Sequence, residues 1–148
     1  MRRASHLALV VLLMLPGFLG CSYKHLYGET MRGVDLGARH YAHVVRHAED
    51  ERRIDRMIGE ELVQAGFRAT VGPESADVPE GADLVVTYED HWQWDMSMYL
   101  ITLRIDFRNP QTQELLASGQ SFRTSLDRKP PEFMVDEIIT SLFAGDDP

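Results

Sequence analysis

The clearest structural signal in the chain is residues 99–108, which read YLITLRIDFR. The apolar side chains expected on one face are Tyr99, Ile101, Leu103, Ile105 and Phe107. This period of two predicts a strand with one face in the core and the other in water. Residues 115–122 follow a turn that contains Pro110, so we expect them to return as the antiparallel hairpin partner.

Further strands are predicted upstream of this hairpin. Residues 83–88 read DLVVTY, and their apolar side chains on both faces indicate a central strand. Residues 41–45 are rich in β-branched and aromatic side chains and predict a short strand. Residues 68–71 predict another short strand.

Two amphipathic helices are also predicted. The acids Glu49–Glu51 suit the first turn of a helix that ends at Gly66. Its apolar stripe is Ile54, Met57, Ile58, Leu62 and Ala65. Pro131 is tolerated in the first turn of a second helix. The apolar stripe of that helix is Met134, Val135, Ile138, Ile139 and Leu142.

The order of these elements predicts an α/β fold. We expect a two-layer sandwich, in which a mostly antiparallel sheet of four to five strands carries two helices on one face. A single domain is assigned to residues 40–148. Residues 21–39 are polar, contain three glycines and show no clear period, so we expect them to form a tether.

Length and composition limit the class of protein. The 148 residues are 44% apolar and 26% charged, which fits one globular domain and excludes a disordered chain or a multi-span membrane protein. The 15 Lys and Arg against 23 Asp and Glu give no electrostatic basis for binding nucleic acid. One cysteine excludes an intramolecular disulfide framework.

Residues 1–20 have the pattern of an export signal. Arg2 and Arg3 give a positive start, and residues 7–15 read LALVVLLML. Residues 7–19 are too few to span a bilayer, which takes about 20. A short positive segment followed by such an apolar run is typical of a secretory signal peptide. The paired arginines leave a twin-arginine signal open as an alternative.

The only cysteine, Cys21, follows this signal directly. Residues 18–21 read FLGC and resemble a bacterial lipobox, which implies that Cys21 is lipidated, as by palmitate, and becomes the mature N-terminus. In such proteins Asp after the cysteine directs retention in the inner membrane. Ser22 therefore implies attachment to the outer membrane of a two-membrane bacterium, with the domain facing the periplasm. The alternative is an ordinary cleaved signal followed by a stray or buried thiol.

Residues 91–96, which read HWQWDM, contain both tryptophans and are the main candidate for a binding site. If the preceding strand continues through them, Trp92 and Trp94 share one face and His91 lies on the other. We interpret Trp92, Trp94 and His91 as candidate partner-binding residues, because aromatic side chains are favoured anchors at interfaces. The alternative is that the tryptophans cap the core or shield the open face of the sheet where it lacks helices.

No catalytic or metal-binding motif is found in the sequence. His40, His43 and His47 would share one face of a helix, but the strand predicted at residues 41–45 puts His40 and His43 on opposite faces. We therefore predict no metal site, no cofactor and no enzymatic activity. A small-ligand or metal carrier that uses the His- and Trp-rich segments is the alternative.

The segments at residues 82–88, 90–95 and 98–100 resemble the centre of an uncharacterised family of small bacterial lipoproteins. A hairpin turn that reads Pro-x-Thr-Gly is typical of that family, and residues 109–112 match it, but Gln113 stands in the glycine position. Either Gln113 accepts a positive φ or the turn differs. The resemblance covers about residues 40–143 and implies a periplasm-facing α/β domain, with no activity to transfer.

These patterns predict a membrane-anchored envelope lipoprotein. Its domain is expected to be a non-enzymatic binding or structural module, with an envelope protein or a cell-wall component as its partner. Removal of residues 1–20 takes away Arg2 and Arg3 and no acid, so the net charge moves from −8 to −10. The lipid must therefore supply the adhesion to the membrane.

Overall fold

The computed structural model describes residues 25–144 and contains six strands and two helices. The strands are β1 Leu26–Thr30, β2 Tyr41–Arg46, β3 Arg68–Pro73, β4 Leu84–Asp95, β5 Ser97–Arg108 and β6 Leu115–Phe122. The helices are α1 Ile54–Gln64 and α2 Pro131–Phe143. The predicted positions of both helices and of the five strands after residue 40 are confirmed, with shifts of their ends. Cys21 and the signal peptide lie outside the described residues.

The strands form one mixed sheet in the order β1-β6-β5-β4-β2-β3. Pairing is antiparallel from β1 to β4, whereas β2 runs parallel to both β3 and β4. The α/β fold is confirmed, but the prediction of four to five strands in a mostly antiparallel sheet is only roughly right. The parallel half arises because α1 crosses over between β2 and β3, which returns the chain in the same direction.

The sixth strand, β1, corrects the predicted tether. It pairs antiparallel with β6, from Leu26 opposite Ser121 to Thr30 opposite Ala117. Four of its five side chains are exposed, so its sequence shows no alternation. The strand is defined by main-chain pairing with a segment about 90 residues away, which a local pattern cannot reveal.

Both helices cover the same face of the sheet and contact each other. The buried residues contributed by that face include Val44, Val86, Leu103, Ile105, Phe107 and Ala117. They meet Ile58 and Leu62 of α1 and Ile138 and Ile139 of α2. Gly28 and Gly119 lie under α2, and a Cβ at Gly119 would be 2.5 Å from Ile138 Cγ2. The missing side chains allow α2 to approach the sheet closely.

The start of α1 differs from the prediction, and its end agrees with it. Glu49–Glu51 precede the helix, because Arg53 has a left-handed backbone with a φ of 62° and the first turn begins at Ile54. At the other end Gly66 has a φ of 94°. The Gly66 N–H donates to the Val63 carbonyl at 3.0 Å and the Phe67 N–H donates to the Leu62 carbonyl at 2.9 Å, as in a Schellman motif.

The alternation predicted for residues 99–108 holds only from Leu103 to Arg108. His91 of β4 pairs with Thr102, but Trp92 pairs with Leu100, so Ile101 is an extra residue on β5. This bulge exchanges the two faces of the strand. Leu100 is therefore buried in the core, and Ile101 is only half-buried.

Candidate functional site

The β4–β5 hairpin extends beyond the rest of the sheet. Its pairing continues to Asp95 opposite Ser97, whereas β6 ends at Phe122, opposite Thr102. We call residues 91–101 the hairpin arm. One main-chain hydrogen bond joins the arm to the segment after β6, from the Arg123 N–H to the Ile101 carbonyl at 2.7 Å. The arm is therefore a two-stranded projection from the end of the sheet.

The register of the arm places both tryptophans on one of its faces. Trp92 lies opposite Leu100 and Trp94 lies opposite Met98, so these four side chains share a face. This arrangement confirms the predicted shared face of Trp92 and Trp94. Met96 occupies the turn instead and has a φ of 59°. A left-handed backbone at a non-glycine residue costs about 1–2 kcal/mol.

Trp92 corresponds to the core-capping alternative. It is half-buried and packs against the hydrophobic core. Its indole N–H donates to the Asp90 carboxylate at 2.5 Å, and the Arg52 guanidinium lies 4.0 Å from the ring centroid. These contacts hold Trp92 in place, so it supports the arm and is not itself an open binding surface.

Trp94 has the opposite environment. Its side chain is 70% exposed, and the neighbouring Met96 and Met98 are 90% and 47% exposed. His91 is exposed too, but it alternates with the tryptophans along β4 and faces the other side of the arm. The structure therefore brings Trp94 together with two methionines and separates it from His91. Of the three predicted partner-binding residues, Trp94 alone presents an open apolar surface.

The side chain of Arg128 also joins the arm to the loop between β6 and α2, residues 123–130, which we call the connecting loop. Arg128 donates to the Ser97 hydroxyl at 2.7 Å and to the Asp95 carbonyl at 2.8 Å. Its guanidinium also lies 4.4 Å from the centroid of the Tyr99 ring. The arm and the connecting loop thus form one continuous end of the domain, the arm end.

The connecting loop adds an exposed apolar side chain and two paired acids to the arm end. Leu126 is 97% exposed. Asp95 pairs with Arg128 at 3.1 Å, and Asp127 pairs with Arg123 at 2.9 Å. Hydrogen bonds from Arg123 and from Lys129 lower the pKa of Asp127. The arm end therefore combines exposed apolar side chains with carboxylates that are ion-paired to arginines.

The three histidines considered for a metal lie in separate environments. His40 is exposed, and the His47 Nε2–H donates to the Tyr88 carbonyl at 2.6 Å. His43 is buried beside Thr70, with 2.9 Å between its Nδ1 and the hydroxyl oxygen, and burial lowers its pKa. Within residues 25–144, no group of three or more His, Cys, Asp or Glu side chains is placed to hold a metal ion.

A polar cluster on the uncovered face of the sheet was not singled out from the sequence. Asp106 accepts hydrogen bonds from Ser118 at 2.7 Å, from Arg104 at 2.9 Å and from Arg108 at 2.9 Å. Burial alone would raise the pKa of Asp106, but the hydrogen bonds from Ser118 and Arg104 outweigh it and lower the pKa. The cluster is a saturated network that joins β5 to β6. Its signal in the sequence is the alternation of Arg104, Asp106 and Arg108.

Neither a protein-family model nor a curated protein matches the sequence. Among solved structures, the chain is similar to two structures of the PelC dodecamer from Paraburkholderia phytofirmans, and one of the two is of a point variant. Each has a TM-score of 0.60 and 12% sequence identity. The similarity to the variant covers 77% of this chain and 96% of the variant chain. The similarity to the other structure covers 79% of this chain and 97% of that chain. At this identity the comparison establishes the fold alone.

No helix within residues 25–144 is long and apolar enough to cross a membrane.

Proposed function

We propose that the protein is a lipid-anchored envelope protein of the bacterial periplasm, held in the outer membrane through Cys21. Its domain is a non-enzymatic binding module, and the arm end is its contact surface. The observation that carries this proposal is the exposure of Trp94 and Met96 at the end of a two-stranded projection.

The position where the chain enters the domain sets how far an anchor at Cys21 can lie from it. Cys21 precedes His25 by four residues, and β1 begins at Leu26. An anchor at Cys21 therefore joins the folded domain through a very short connection. Diacylated attachment of this kind is lasting, since one acyl chain binds only marginally and a second makes the attachment stable.

Hydrogen bonds within the domain hold two of its carboxylates, Asp50 and Asp106. Asp50 accepts the Tyr88 hydroxyl at 2.7 Å and the Asp55 N–H at 3.1 Å. Burial would raise the pKa of Asp50, but the hydrogen bond from Tyr88 and those from the backbone lower it. Asp50 and Asp106 are thus held as ionised structural carboxylates.

The anchor is tested by labelling cells with radioactive palmitate. The full chain should carry the label and fractionate with membranes, whereas the Cys21→Ser variant should lose both properties. A labelled Cys21→Ser variant, or a native protein with an unmodified thiol by mass spectrometry, would contradict the lipoprotein assignment.

The contact surface is tested by photo-crosslinking in cells. A photoreactive amino acid at position 94 should give adducts with envelope components. The matched control is position 63 on α1, where Val63 is also an exposed apolar side chain. Equal adducts from the two positions would show that the arm end is no preferred contact surface.

A further inference from the structure

We infer that the arm end contacts the lipid bilayer itself, with Trp94, Met96, Met98 and Leu126 seated at the boundary between headgroups and acyl chains. This inference rests on the proposed anchoring through Cys21 and names the partner of the same surface. The domain then has a fixed orientation, with the arm directed at the membrane.

The first argument is the clustering of exposed apolar side chains. Leu126, Met96 and Trp94 are the three most exposed large apolar residues between positions 25 and 144. All three lie at the arm end, and Met98 lies beside Trp94 on the same face of the arm. Single exposed apolar residues need no explanation, but Trp94 and Met98 lie side by side on one face of the arm and Met96 follows in its turn, and such a group indicates an interaction surface.

The second argument is the direction from which the anchor arrives. Leu26 of β1 lies opposite Ser121 of β6, and Ser121 lies opposite Leu103 of β5. The Phe122 N–H donates to the His25 carbonyl at 2.7 Å, so the chain enters at the row where β6 ends and the arm begins. The anchor and the arm therefore leave the sheet at the same end.

The length of the arm can be compared with the length of the connection between Cys21 and His25. Five residues of β5, 97–101, extend past this row, which corresponds to about 17 Å of strand. The four residues from Cys21 to His25 reach at most about 14 Å. When the strands stand along the membrane normal, the arm is at least as long as the connection to the anchor. The arm tip then reaches the surface in which the lipid is embedded.

The third argument is the chemistry of the tip. Trp is enriched at membrane–water interfaces, where its ring is apolar and its N–H remains hydrated. Met96 has a left-handed backbone that glycine would adopt without strain, and its side chain is exposed and not part of the core. The tip acids Asp95 and Asp127 are ion-paired, which reduces repulsion by an anionic leaflet in an otherwise acidic protein.

The test uses the acylated full-length protein in vesicles of phosphatidylethanolamine with a minor share of phosphatidylglycerol. Trp92→Phe leaves Trp94 as the only tryptophan, and the matched Trp94→Phe variant leaves Trp92. Emission is compared between ordinary lipids and lipids brominated near the headgroup end of the chain. Trp94 emission should fall by about half, because an interfacial ring lies about 5–10 Å into the membrane. Trp92, which is held against the core, should lose much less.

Three outcomes would overturn the inference. In the first, brominated lipid does not quench Trp94 emission but acrylamide, a water-soluble quencher, does, so the arm faces water. In the second, neither quencher reaches Trp94, so protein covers it. In the third, both tryptophans are quenched equally, so the domain lies on its side. These results leave the anchor intact, whereas mass spectrometry that finds no acyl chain on the protein purified from cells would refute the proposed function itself.

Discussion

Gln113 stands at the turn between β5 and β6 with a φ of 60°, where glycine would be unstrained. Its N–H donates to the Asn109 carbonyl at 2.9 Å. We predict that Gln113→Gly raises the free energy of unfolding by up to about 1 kcal/mol, measured by urea denaturation, because the left-handed strain disappears. The control is Gln111→Gly, at a residue of the same turn that has no positive φ. This control should lower the free energy of unfolding. Destabilisation by both variants would contradict the left-handed turn.

At the scale of single residues, the sequence indicated which residues are unusual but not how buried each of them is. The glycine position at Gln113 was marked by the turn pattern, and the tryptophan pair was marked by its rarity. The different environments of Trp92 and Trp94 could not be predicted, because Arg52, which covers Trp92, belongs to a segment 40 residues earlier in the chain. Burial of one indole and exposure of the other is a tertiary effect.

At the scale of elements, the packing of α2 on the sheet depends on two glycines. A Cβ at Gly119 would lie 2.5 Å from Ile138 Cγ2, whereas a Cβ at Gly28 would meet the Ser141 hydroxyl oxygen at 2.7 Å. Ile138 is fixed in the core, and a serine hydroxyl can rotate away. We predict that Gly119→Ala lowers the free energy of unfolding by about 1–3 kcal/mol and that Gly28→Ala lowers it by less. Chemical denaturation of both variants provides the measurement, and equal losses would contradict the close approach of α2 at β6.

Elements with a strong local period were predicted, and elements fixed by distant pairing were missed. The stripe of α1 and its end at Gly66 were readable because side-chain spacing and glycine act within a few residues. The three acids before α1 misled the prediction of its start, since they also suit a loop that ends at the left-handed Arg53. The bulge at Ile101 was invisible, because it is defined by the register with Trp92.

At the scale of the whole molecule, the domain begins at Leu26 and not at residue 40. We predict that a fragment of residues 40–148 is less stable than one of residues 22–148 by about 2–4 kcal/mol, because it loses the hydrogen bonds of β1 and the burial of Leu26 and Leu36. It should also self-associate with increasing concentration, since the edge of β6 is uncovered. Thermal unfolding and sedimentation measure the two effects. A shorter fragment of equal stability that stays monomeric would make β1 dispensable.

The overall architecture was accessible from the sequence in outline. Two helices with single stripes require one face of a sheet, and sequential strands with short turns favour antiparallel neighbours. The parallel pairing of β2 with β3 was missed although the strand–helix–strand order of residues 41–71 indicates it, because a helical crossover returns the chain in the same direction. The lipid anchor at Cys21 remains a prediction of the sequence.

The pairing of β1 with β6 also constrains when the domain can mature. Residues 26–30 are made early, but their partner, residues 115–122, appears only after some 90 more residues. At ribosomal speeds of about 5–20 residues per second, this first strand waits roughly 5–20 s for its neighbour. During that time its backbone groups are unsatisfied by the native sheet, and any chaperone that shields the nascent chain has this interval in which to act.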